Sequence, residues 1–216
     1  IADMILIYFF APPIVSLGDS ARNLLLHVPV AWVSALAYLI SAIYAVLYLV
    51  KKDLWYDIRS FSSATLGLIF SLLVVTTGMV WAKSDWGSAW NWDPRETTFL
   101  VLLIIYLVYF ALRSSVANRE SKARLSAVYA LIAFINVPVL YFILPRTAQS
   151  DQGTPSSLHP DVVSELVKAD VDTPVQSVMS LEYAFIFFFS LTGFTLLFFY
   201  LYHLTSFINQ KSGHRK

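Results

Sequence analysis

The chain has no cysteine and little charge: 13% of its 216 residues are Asp, Glu, Lys or Arg. Without cysteine there are no disulfides, no thiolate-held iron–sulfur clusters, no thiol relay and no covalent haem attachment through C-x-x-C-H. The scarcity of charge excludes an ordinary soluble domain, which carries roughly 25%. With 57% hydrophobic residues and a mean hydropathy of +0.64, such a surface must be solvated by lipid. A net charge of +1 gives no reason to expect nucleic acid. No G-x-x-x-x-G-K-S/T loop is present, so any ATP-driven step belongs to another chain. Ionisable residues are almost absent from the apolar runs, and these are what mark solute or proton paths through a bilayer.

What is present is a succession of apolar runs, each to be judged against the roughly 20 residues that cross a hydrocarbon core of about 30 Å. Five clear helices are predicted, at about 27–50, 61–81, 98–112, 125–144 and 181–207. A partial one at 5–11, ahead of Pro12-Pro13, is too short to cross alone. That shortness, and Ile1 in place of Met, point to a truncated start. There is no internal repeat and no low-complexity linker. The expected fold is therefore a single all-α membrane domain over 1–216, a polytopic bundle of six transmembrane helices with the first one truncated or short.

Charge orients the bundle. Lys51, Lys52 and Arg59 follow the second helix, Arg113, Arg119, Lys122 and Arg124 the fourth, and Lys211, Arg215 and Lys216 the sixth. These ten of the fifteen basic residues lie on alternate loops, which the positive-inside rule assigns to the cytoplasm. The other five, Arg22, Lys83, Arg95, Arg146 and Lys168, fall on the opposite side with eleven of the fourteen acids. The C-terminus is expected inside; the loop near residue 90 and the segment 145–180 are expected outside.

That outer loop holds the strongest motif, Trp86-Gly87-Ser88-Ala89-Trp90-Asn91-Trp92-Asp93-Pro94-Arg95-Glu96-Thr97, which concentrates three of the six tryptophans beside an acid and a base. Indoles favour the border between apolar and wet, and three together suggest a platform for a large planar ligand. Scattered interfacial anchoring is the plainer alternative. Pro94 and Glu96 suit the first turn of a helix. His27, expected to open the second helix at its outer end, and His159, in the following outer loop, share this side of the membrane. Imidazole is the common axial ligand of haem iron. Indole faces would take the porphyrin, and Arg22, Arg95 or Lys83 could pair with its propionates. Each histidine alone is more often an interfacial hydrogen-bonding residue, and His203, beside Tyr200 and Tyr202, reads as an anchor.

Trp86-Gly87-x-x-Trp90-x-Trp92-Asp93-x-Arg95-x-Thr97 resembles the "WWD" signature of membrane haem-handling proteins. Leu26-His27-Val28-Pro29 with Arg22 before it, Asn136-Val137-Pro138-Val139, and Leu158-His159-Pro160 resemble the CcmC branch, collinearly from about Ser20 to His159. The resemblance implies non-covalent binding of haem b at the outer face of the bacterial cytoplasmic membrane. It further implies presentation to the haem chaperone CcmE during cytochrome c maturation, with the ABC-type components CcmA and CcmB and the small protein CcmD. By position, His27 and His159 match the axial ligands, Trp86, Trp90, Trp92 and Asp93 the haem-edge motif, and Arg22 and Arg95 its basic residues. Such a protein hands over a cofactor and is not an enzyme.

The sequence also departs from that pattern. Ala89 stands where relatives often carry an aromatic, Glu96 where many carry leucine, and 146–157 lacks the tryptophan pair that commonly precedes the second histidine. Asp93-Pro94-Arg95-Glu96-Thr97 is similar to the larger CcsA-type cytochrome c synthetases, so a minimal synthetase is one alternative. A bis-histidine electron-transfer subunit is another, and a cofactor-free scaffold a third.

Overall fold

A computed structural model describes residues 2–12, 18–144 and 181–213, among which every regular element is helical. The chain opens with α1 (Ala2–Ile5), which runs on as a π turn, Leu6–Phe10. Then come α2 (Ala21–Lys51), α3 (Leu54–Trp86), α4 (Pro94–Ser115), α5 (Arg119–Pro138, continued by a π turn at Val139–Ile143) and α6 (Leu181–Gly213). Five of these are long and apolar enough to cross a membrane. The nine residues of α1 and its π turn reach only about 13 Å. Among the described residues five helices are thus of spanning length, preceded by a short segment where the truncated or short first helix is expected.

Local chemistry sets the boundaries. Lys52 takes a left-handed φ of 58° and returns its N–H to the Tyr48 carbonyl at 2.7 Å, closing α2. Asp53 immediately caps α3, accepting the Trp55 N–H at 2.8 Å. Only two residues therefore separate the helices, and α3 starts at Leu54 rather than near 61. Asn118 caps α5 through the Ser121 N–H at 2.9 Å. Short links force antiparallel neighbours, so α2 begins where α3 ends and α4 starts. We call this the tryptophan end.

The core is a seam of small residues, which lets membrane helices approach closely. Ser34, Ala37, Ser41 and Ala45 of α2 are buried, as are Ser60, Ser63, Ala64 and Ser71 of α3 and Ala123, Ala127, Ala130 and Ala133 of α5. Hydroxyls fasten it: Ser60 donates to the Ser41 carbonyl at 2.8 Å and Ser63 to the Ala37 carbonyl at 2.7 Å. Tyr38 stacks on Tyr106 with centroids 3.5 Å apart, and its hydroxyl lies 2.9 Å from Ser71 Oγ. Tyr38 fits only because residue 67 is glycine; a Cβ there would lie 2.5 Å from the Tyr38 ring. Gly67→Ala is accordingly expected to cost about 1–3 kcal/mol, the usual range for overpacking a filled core. Denaturation in mixed detergent micelles measures it, and an unchanged midpoint would mean that the ring moves freely.

Candidate functional site

At the tryptophan end α3 closes on Trp86, and Gly87 at φ 75° lets the chain leave in a left-handed turn. Trp86 is thus the last residue of a helix rather than part of a loop. Its indole packs edge-on against Trp81 with centroids 5.0 Å apart, and Trp81 is buried. The loop that follows is knitted by its own polar groups. Ser88 Oγ donates to the Trp90 carbonyl at 2.9 Å, and the Asn91 amide donates to the Ser88 carbonyl at 3.1 Å. Trp90 and Trp92 meet edge-to-face at 5.8 Å. Trp92 is 71% exposed and holds a left-handed φ of 57°, a backbone conformation that is unfavourable for a bulky residue. A large apolar ring is therefore held out into the surroundings of the bundle by the fixed backbone beneath it.

That fixation comes from α4. Asp93 is buried and accepts the Arg95 N–H at 2.8 Å, while Glu96 reaches back to the N–H groups of Asn91 at 2.8 Å and Asp93 at 3.3 Å. With Pro94 in the first turn this is a capping box. Here the acid of the signature caps a helix and aims the indoles; Glu96, expected only to suit the helix dipole, does half of that work.

The basic residues and histidines are distributed as follows. Arg22, in the first turn of α2, donates to the Ala11 carbonyl at 3.1 Å and pairs with Asp19 at 3.2 Å, so it lies at the same end as the loop. Arg95, half-buried, sits in the first turn of α4. His27 does not open α2: it stands six residues inside it, about 9 Å along the axis. Its Nδ1 is 2.9 Å from Thr77 Oγ1 of α3. Nearer the rim, Ser20 Oγ donates to Asp85 at 2.7 Å and fixes the register of α2 against α3. His203 lies towards the opposite end, in a cleft with Trp55 and Arg59. His159 falls outside the described residues. One end of the bundle thus gathers His27, Arg22, Arg95, Trp86, Trp90, Trp92 and Asp93, the imidazole set below a rim of indoles.

A family model described as CcmC, heme exporter protein C, matches residues 1–206. The chain belongs to the CcmC family. It is 33% identical over 133 residues to heme exporter protein C of Escherichia coli K12, covering 62% of this chain and 54% of that one. To the Rhodobacter capsulatus protein of the same name it is 28% identical over 128 residues (59% and 53% covered). To a ccmC-like mitochondrial cytochrome c biosynthesis protein of Marchantia polymorpha it is 35% identical over 132 residues (61% and 55%). The chain spans about half the length of the curated relatives it matches. Membership in this family and five apolar helices of spanning length make it a multi-pass membrane protein.

Sequence patterns pass over three residues at this end of the bundle. Trp81 reads as the end of an apolar run and Thr77 and Gly78 as unremarkable span residues, yet Trp81 backs Trp86 and the other two pack against His27. The density of tryptophans near 86 was the available signal for Trp81; nothing local marks Thr77 or Gly78.

Proposed function

We propose that this protein binds haem b non-covalently at the outer face of the bacterial cytoplasmic membrane and presents it to the chaperone CcmE, working with CcmA, CcmB and CcmD. Haem is the cargo, and no bond is made or broken in it, so the protein is not an enzyme. The observation that carries the reading is the placement of His27 and the tryptophan loop at the same end of a CcmC-family bundle.

The residues suit a metalloporphyrin. His27 offers an imidazole to iron from below the rim, and His159 supplies the second axial position. Trp86, Trp90 and Trp92 give aromatic surface to the macrocycle, with Trp92 already turned outward. Arg22 and Arg95 hold the propionates; the Arg22–Asp19 pair, with Asp19 80% exposed, is cheap to exchange for another carboxylate. Among the described residues the site is walled by α2, α3 and the tryptophan loop, and handover to a receiving protein requires that an edge of the cargo stay accessible. The charge pattern of the loops supports the outer placement of this end.

The test is a titration of purified protein with haem, followed by addition of CcmE. The reading expects a saturable Soret band of a histidine-ligated, low-spin haem, and its passage to CcmE. No Soret change on titration would overturn it. Attachment of haem to an apocytochrome with no chaperone present would favour the synthetase alternative instead.

A further inference from the structure

Thr77 Oγ1 has three neighbours: the carbonyl oxygens of Leu73 at 2.7 Å and Val74 at 3.2 Å, and His27 Nδ1 at 2.9 Å. A threonine hydroxyl owns one proton. With the proton on the shortest of these bonds, to the Leu73 carbonyl, Oγ1 turns its lone pairs to the imidazole and accepts from His27 Nδ1. In the neutral ring the lone pair then resides on Nε2, the tautomer that can bind a metal through Nε2.

The next residue fixes the ring rather than the proton. A Cβ on Gly78 would lie 3.2 Å from His27 Cε1, tighter than an ordinary contact, and 3.8 Å from Nδ1. The missing side chain lets the imidazole lie against α3 with its Nδ1 edge facing Thr77. Backbone-bonded threonines are common here; Thr65, Thr76, Thr192 and Thr195 all donate to a carbonyl four residues back. Thr77 differs in that its oxygen also faces an imidazole from another helix.

We infer that Thr77 and Gly78 are positioning residues for iron binding by His27, Thr77 setting its tautomer and Gly78 the place of its ring. This rests on the haem-binding reading above. Thr77 does what the carboxylate or carbonyl partner of a metal-ligating histidine ordinarily does, using an uncharged group whose direction its own backbone bond dictates.

The experiment has one arm without haem. In the full chain labelled with 15N-histidine, the His27 ring signal is the one lost in His27→Gln. The wild type is expected to show a protonated Nδ1 and an unprotonated Nε2. Thr77→Val should move the signal towards the Nε2–H tautomer, Thr77→Ser should restore it, and Thr76→Val should leave it alone. In the haem arm, Thr77→Val is expected to weaken retention about 10–100-fold, as loss of such a partner usually does. Gly78→Ala is expected to shift the ligation spectrum while keeping the tautomer. A wild-type His27 protonated on Nε2, or a Thr77→Val protein with unaltered tautomer and retention, overturns the inference. If the wild type takes up no haem, the haem reading fails by itself, while the tautomer arm still decides what Thr77 does.

Discussion

His27→Ala is expected to lower haem retention by on the order of a hundredfold. Removing only the hydrogen-bonding partner of a metal-bound histidine already costs about 10–100-fold, so losing the ligand belongs at or beyond the upper end of that range. The fold should hardly notice. His27 is half-buried, and its bond to Thr77 is worth about 1 kcal/mol net. The hydroxyl left behind keeps its bonds to the backbone carbonyls. Retention and stability should therefore separate: a Soret titration shows the loss, and a denaturation midpoint shows almost none. His203→Ala is the matched control, an imidazole near the opposite end of the bundle, and it should do neither. Equal retention in wild type and His27→Ala would remove His27 as a ligand.

The parts of this arrangement that the sequence makes legible are those that depend on composition along the chain. Five apolar runs of spanning length and the tryptophan density both survive in the folded bundle. What it hides depends on partners far away in sequence. The stretch Asp57-Ile58-Arg59-Ser60 looks like a polar loop, so the third helix is expected to begin at 61. In the bundle Ser60 faces Ser41 across a close helix seam and Asp57 is buried against Arg113, 56 positions on. Helix starts are misjudged by hydropathy whenever the first turns bury paired polar groups. His27 is misplaced for a related reason: the helix begins at Ala21, with Arg22 and Asn23 in its first turn, before the apolar run does. Asp93 illustrates the limit of a motif. The acid is where the signature puts it, but its carboxylate serves the backbone of α4, which only geometry reveals.

Asp57→Ala is expected to destabilise the bundle by about 3–5 kcal/mol, the cost of stranding one member of a buried ion pair. Arg113 meets Asp57 through two parallel bonds of 2.7 Å, with side-chain exposures of 13% and 9%. The guanidinium also lies 4.4 Å from the centre of the Phe61 ring. Without the carboxylate, a charge would be left between α3 and α4 with an aromatic face and no anion. The consequence should reach the other end of the molecule. α4 carries the capping box at its first turn and this ion pair at its last, so the pair sets where α4 stands beside α3, and hence where the tryptophan loop stands beside His27. Asp57→Ala should thus lose both stability against denaturing detergent and haem retention. Asp57→Leu combined with Arg113→Met removes both charges and keeps the volume, an exchange that is often neutral or better. That double variant is expected to recover stability, and if α4 returns to its place it should recover retention too. Recovery of the first without the second would show that the ion pair orients α4, since an apolar contact fills the gap but does not fix the angle at which the helix is held.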